Sequence, residues 1–84
     1  MLALSLGERI MIFRKRVGLS KKALADRTHL AVSTITKYEN DMVANPDHEV
    51  LLAISIVLNV SMNMLMFGFD DSAKGTTIEP LIKS

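Results

Sequence analysis

The chain has 84 residues, a formal net charge of +1 and no cysteine, so it has room for one small core and excludes a disulfide framework and a thiolate metal site. Its first residues lack the basic region of a signal peptide, and no apolar run approaches the length of a membrane span. We therefore expect a cytoplasmic protein.

The first predicted helix begins after Ser5. Ser5 and Glu8 have the spacing of a capping box, in which each side chain accepts a hydrogen bond from a free amide at the helix start. The helix is expected to run to about Val17 and to end at Gly18, a left-handed terminator. Four apolar residues at helical spacing are expected to face the core: Leu6, Ile10, Phe13 and Val17.

Two short helices joined by a tight turn are predicted between Ser20 and Asn40. Ser20 is a good N-cap, and the helix that follows it should end near Thr28. A second helix fits Val32 to Asn40. Its inward face is predicted to carry Ile35, Tyr38 and Glu39, and its outward face Val32, Ser33, Thr36 and Lys37. A helix of this length is too short to persist alone in water, so it requires burial of the inward face.

The remaining elements are a fourth and a fifth helix. Asn45 and Pro46 resemble a cap followed by proline at the first helical position, and the fourth helix should span Asp47 to about Leu58. Asn59 is a plausible left-handed cap, and Ser61 starts a short fifth helix that ends near Phe67. An apolar stripe on the fourth helix contains Val50, Leu51, Ile54, Val57 and Leu58.

The sequence suggests a division into residues 1–68 and a tail of residues 69–84. Within the tail, residues 70–72 and 74–77 are typical of a linker. Residues 78–82, Ile-Glu-Pro-Leu-Ile, could form an edge strand or a docking segment.

Several apolar residues exceed what a monomer of this size needs. Met11, Ile12 and Ile56 lie off the inward stripes, and a cluster on the last helix is a candidate dimer interface: Met62, Met64, Met66 and Phe67. An exposed apolar cluster usually marks a partner surface. The alternative is that flexible methionines fill a small core.

Basic and acidic residues are distributed unevenly between the two halves of the chain. Residues 1–40 contain eight basic and three acidic residues, whereas residues 41–84 contain two basic and six acidic residues. One explanation for the excess of basic residues in residues 1–40 is a basic face that is simply exposed to solvent. Because the basic half coincides with the two short helices, an electrostatic footprint on DNA is the better interpretation.

The chain resembles the lambda-repressor-like family of helix-turn-helix proteins (the Cro and phage-repressor, or XRE, type) over roughly residues 5–68. The resemblance rests on Leu6, Ile10, Phe13, Arg14, Gly18 to Ser20, Leu24, Ala25, Ser33 to Asn40, Pro46, Leu51, Leu58, Val60, Ser61 and Leu65. It implies an all-α, compact five-helix domain with the helix-turn-helix at helices 2 and 3 and a short C-terminal tail.

The resemblance also implies a set of DNA contacts. The residues expected to read base edges in the major groove are Val32, Ser33, Thr36 and Lys37. Those expected to contact phosphate are Lys21, Lys22 and Asn40. An arginine at position 14 is expected to pair with Glu39 and tie helix 1 to helix 3.

The turn of the motif departs from the family pattern. A glycine usually occupies the position of His29, and a serine or threonine usually caps helix 3 where this chain has Ala31. Histidine tolerates the left-handed region better than most residues. Without a cap, helix 3 is expected either to fray at its start or to begin later, with Ser33 as the cap.

The function expected from this pattern is a transcriptional regulator of double-stranded DNA, a repressor that acts as a dimer on a near-palindromic operator. The alternative is an antitoxin or another protein-binding adaptor whose tail grips a protein partner. No catalytic constellation, metal spacing or phosphate loop occurs, so neither an enzyme nor a cofactor is expected. His48 precedes an apolar run and is expected to be partly buried rather than catalytic.

Overall fold

The computed structural model describes residues 3–70 and 76–77, which form five helices and one short β-ladder. The helices are α1 (Leu6–Arg16), α2 (Lys21–Thr28), α3 (Val32–Glu39), α4 (His48–Leu58) and α5 (Met62–Phe67). The strands β1 (Phe69–Asp70) and β2 (Thr76–Thr77) pair antiparallel, with Phe69 opposite Thr77. The predicted five-helix, all-α fold is confirmed, with the small ladder as an addition.

A single core lies between the helices. α1 packs against α3, α4 and α5, and α2 packs against α3 and α4. The buried apolar residues are Ile10, Phe13, Leu24, Ala25, Ile35, Tyr38, Leu51, Ile54, Leu58, Met64 and Leu65. On α1, α3 and α4 they recur at helical spacing, which is why the inward stripes of these helices were readable from the sequence.

Most helix ends follow the local sequence. Ser5 and Glu8 form the capping box of α1, and Ser20 and Ser61 cap α2 and α5 through their hydroxyls. His29 and Asn59 adopt the left-handed conformation, both at φ 59°. The serine caps and the end at Asn59 were predicted from residues within one turn, whereas the left-handed turn at His29 was implied by the family resemblance.

The predicted cap of α4 is wrong by two residues, and the helix begins at His48, one residue later than predicted. Asp47, not Asn45, caps the helix, and its carboxylate accepts hydrogen bonds from the amides of Glu49 and Val50. The hydroxyl of Tyr38 accepts a hydrogen bond from the Asp47 amide at 2.9 Å. This contact from α3 fixes the loop so that Asn45 and Pro46 remain exposed before the helix.

Three other predictions are corrected. Val17 was expected in the core, but it is the C-cap of α1 and is 45% exposed, because the helix ends at Arg16. His48 is exposed, because it is the first residue of α4. Thr76 and Thr77, assigned to a linker, pair with β1. The rest of the proposed linker and the docking segment at 78–82 lie outside the described residues.

The predicted dimer cluster on α5 does not form one surface. Met64 is buried in the core at 7% exposure, so it cannot reach a partner. Met62 and Met66 are half-buried and pack against the core. Phe67 projects into solvent at 58% exposure. Met64 therefore fills the core, which is the alternative interpretation for this one residue.

Candidate nucleic-acid interface

Helix α3 presents one buried face and one outward face. Ile35, Tyr38 and Glu39 are buried, as their spacing predicted. On the opposite side, Val32, Ser33 and Lys37 are exposed, whereas Thr36 is half-buried. Three of the four candidate base-reading residues are therefore freely accessible, and Thr36 lies closer to the core.

The outward face of α3 has no acidic side chain. Glu39, the acidic residue of this helix, is buried and its carboxylate is bound by Arg14. A surface without negative charge can approach the phosphate backbone without repulsion. The burial of Glu39 thus keeps its negative charge off the outward face of α3.

Arg14 joins α1 to α3. Its Nε and Nη2 donate to the two carboxylate oxygens of Glu39 at 2.5 Å and 3.1 Å. Its Nη1 also donates to the carbonyl of Leu19 at 2.9 Å, just before α2. One guanidinium therefore fixes α3 relative to both α1 and the start of α2.

The beginning of α3 is less secured than its end. Ala31 occupies the N-cap with extended backbone, and it makes no side-chain hydrogen bond. The helix nevertheless begins at Val32, so the predicted alternative of a shorter helix capped by Ser33 is wrong. The amides in the first turn of α3 therefore receive no hydrogen bond from the side chain of the N-cap residue. The exposed residues Val32 and Ser33 lie in this turn.

The end of α3 is held by contacts that the sequence analysis missed. Asp41 adopts the left-handed conformation at φ 57° just after the helix. Its carboxylate accepts hydrogen bonds from the hydroxyl of Ser5 at 2.6 Å and the amide of Gly7 at 2.9 Å. A Cβ at Gly7 would lie 2.3 Å from the Glu39 carbonyl oxygen, so only glycine permits this approach.

Arg9 is a second residue that the sequence analysis missed. Its guanidinium is buried and donates to the carbonyls of Leu4, Leu65 and Met66. Burial lowers the pKa of Arg9, while the carboxylates of Asp41 and Glu8 raise it. A signal was present, because Arg9 lies at i+3 from Leu6 and i−4 from Phe13, inside the apolar stripe.

The candidate phosphate ligands differ in their surroundings. Lys22 is exposed and its Nζ lies 3.2 Å from a carboxylate oxygen of Asp26. Lys21 is half-buried at the start of α2, and Asn40 is exposed at the C-cap of α3. Lys22 is thus partly neutralised by its neighbour, whereas no ion pair involves Lys21 among the described residues.

Within residues 3–70 and 76–77, no group of three or more His, Cys, Asp or Glu residues could hold a metal ion. No helix in that part of the chain is long and apolar enough to cross a membrane.

A helix-turn-helix family model matches residues 10–65. Among curated relatives, the HTH-type transcriptional regulator ImmR of Bacillus subtilis is 31% identical over 81 residues, which is 96% of this chain and 62% of ImmR. The chain spans between 55% and 62% of the length of the curated relatives that it matches.

Two solved structures are similar in both fold and sequence. The P22 c2 repressor in complex with a synthetic operator gives a TM-score of 0.73 at 30% identity, covering 79% of this chain and 98% of that one. The SinR–SinI complex gives 0.72 at 29% identity, covering 93% and 75%. The family model's residues 10–65 include the whole of α2, α3 and α4, and therefore the helix that carries the candidate base-reading residues.

Proposed function

Because the chain belongs to the helix-turn-helix family of the lambda-repressor (Cro/XRE) type, we propose that it is a sequence-specific regulator of transcription that binds double-stranded DNA. Base reading is assigned to the outward face of α3, with Val32, Ser33 and Lys37 as its exposed residues and Thr36 at its edge.

One observation carries the proposal. The acidic residue of α3 is buried against Arg14, and a lysine and small uncharged side chains remain on the outward side. Such a helix fits the major groove, where Lys37 can donate to guanine and Val32 can contact a thymine methyl group. Lys21, Lys22 and Asn40 flank it as candidates for phosphate contacts, which fix orientation without reading sequence.

Repression by a dimer on a near-palindromic operator is the form of regulation that we favour. Two copies would place their α3 helices about one turn of DNA apart, roughly 34 Å. With Met64 buried, the interface would centre on the exposed Phe67, with Met62 and Met66 at its edge. Repression requires only that the bound protein occupies a promoter.

Binding to DNA can be tested by titrating the purified protein against mixed genomic fragments at two salt concentrations. Counterion release predicts affinity that falls steeply with salt, and bound fragments enriched for one near-palindrome. Equal, weak binding to all fragments would contradict sequence-specific regulation. Sedimentation of the wild type and of Phe67→Ser tests the dimer, since the variant should shift toward monomer, whereas Met42→Ser, at an exposed loop position, should not.

A protein-binding adaptor, including an antitoxin whose tail grips its partner, is the second candidate. The observation that favours it is the similarity to SinR in a complex with another protein, which covers 93% of this chain. Stoichiometric co-purification of a protein from the native host, together with absent DNA binding, would support the adaptor and contradict the regulator.

A further inference from the structure

An open apolar groove lies on the side of the domain formed by the ends of α1 and α4 and the start of α5. It has a volume of about 380 Å³. Its apolar lining includes Phe13, Val17, Leu58, Val60 and Met64, and Arg16 stands at its edge. Val17, which the sequence pattern assigned to the core, is 45% exposed.

The direction of α5 relative to α1 determines where the chain leaves the helices with respect to this groove. Arg9 of α1 donates to the carbonyls of Leu65 and Met66 in the second half of α5, while Phe13 and Val17 share the groove with Val60 and Ser61, just before α5 begins. α5 therefore runs antiparallel to α1. The chain leaves α5 at Gly68, beside Arg9, where an added Cβ would lie 3.6 Å from the Arg9 side chain.

The β-ladder turns the chain back toward α1 and α5. Since β2 is antiparallel to β1 and Thr77 lies opposite Phe69, the direction from Thr76 to Thr77 points toward Gly68. From Arg9 to Val17 the distance along α1 is about 12 Å. Four extended residues, from Thr77 to Leu81, span about 13 Å. The length of this segment is therefore comparable with the distance along α1 from Arg9 to the groove.

The chemistry of residues 78–82 matches the groove. Their sequence is Ile-Glu-Pro-Leu-Ile, with four apolar residues and one carboxylate. The lining combines five apolar residues with Arg16, Asn59 and Ser61, and it contains no acidic residue. Proline cannot donate a backbone hydrogen bond, and it favours the extended conformation that such a groove accepts.

We propose that residues 78–82 of the same chain dock in this groove, with Leu81 against Val17 and Glu79 near Arg16. The docked segment covers apolar surface that α1 and α4 leave open, and it gives Val17 the buried environment that its place in the helical pattern predicts. This proposal is independent of DNA binding, because no residue of α3 is among those that line the groove.

The absence of native cysteine makes a disulfide test direct. The full-length double variant Val17→Cys, Leu81→Cys is oxidised at low concentration, and the products are separated without reductant and weighed by mass spectrometry. We expect an intramolecular disulfide to form at least tenfold faster than in the control Val32→Cys, Leu81→Cys. Val32 has a similar exposure of 42%, but it lies on the outward face of α3.

Each other outcome would overturn the proposal. Equal rates in the two double variants would show that residue 81 has no preference for the groove. Disulfide-linked dimers in place of the intramolecular product would show that a second copy occupies it.

A second measurement needs no disulfide. The single thiol of Val17→Cys is modified by a soluble maleimide in the presence and absence of Leu81→Asp. Docking predicts modification several-fold faster with the aspartate, whereas Val32→Cys should react at the same rate in both backgrounds. An unchanged rate at position 17, in proteins with unchanged circular dichroism, would also contradict docking.

Discussion

The guanidinium of Arg14 donates hydrogen bonds to both carboxylate oxygens of Glu39 in the interior of the domain. The side chain of Arg14 is 9% exposed and that of Glu39 is 3% exposed. This pair links α1 to the helix that carries the candidate base-reading residues. Its geometry has two consequences, one for stability and one for the placement of α3.

We expect removal of one partner of this pair to cost more than removal of both. Glu39→Leu leaves the Arg14 charge buried without its partner, and should lower the free energy of unfolding by about 3–5 kcal/mol. The double variant Arg14→Met, Glu39→Leu should recover much of that loss, because no buried charge remains. Urea unfolding of the four proteins of the cycle measures this. A double variant as unstable as the sum of the single variants would show that the two side chains act independently.

Substitution of Gly7 should affect the contact between α1 and the end of α3. In Gly7→Ala the added methyl group meets the carbonyl oxygen of Glu39 at 2.3 Å, so the two helices must separate, and we expect a loss of about 1–3 kcal/mol.

The matched control for this substitution is Gly18→Ala. There the added Cβ meets nothing within 4 Å, and the cost comes from the positive φ of 77° alone. DNA affinity should fall for Gly7→Ala and stay near the wild-type value for Gly18→Ala. The opposite ranking of the two affinities would contradict a role of this contact in placing α3.

The uncapped start of α3 predicts a stabilising substitution. Ala31 already has the extended backbone of an N-cap, at φ −76° and ψ 149°, so Ala31→Ser can supply the missing acceptor without rearrangement. We expect a gain of about 1 kcal/mol in the free energy of unfolding. Ala31→Val, which cannot accept a hydrogen bond, is the control. A serine variant no more stable than the wild type would mean that water already satisfies these amides.

Lys37 and Lys21 are expected to differ in what they contribute to DNA binding. Lys37→Ala should weaken specific binding by about 1–3 kcal/mol and nonspecific binding less, because it removes a base contact. Lys21→Ala should weaken both alike and reduce the salt slope by about one. Binding isotherms on an operator and on unrelated DNA at several salt concentrations separate the two. Equal losses on both DNAs for Lys37→Ala would remove this residue from base reading.

The sequence by itself determined the helices and which of their faces are buried. Caps such as Ser20 and left-handed ends such as Asn59 are set by hydrogen bonds and steric limits within one turn, and the inward stripes follow from helical spacing. The family resemblance named the partners Arg14 and Glu39, although the residues alone could not place them together.

Only the tertiary structure decided the contacts between residues distant in the chain. Asp41 binds Gly7, Tyr38 fixes the start of α4 at Asp47, and Met64 turns into the core instead of toward a partner. In each case the local pattern allowed more than one outcome. The choice among them came from the packing of α1, α3 and α5 against one another, because a side chain's partner depends on which helix lies opposite it.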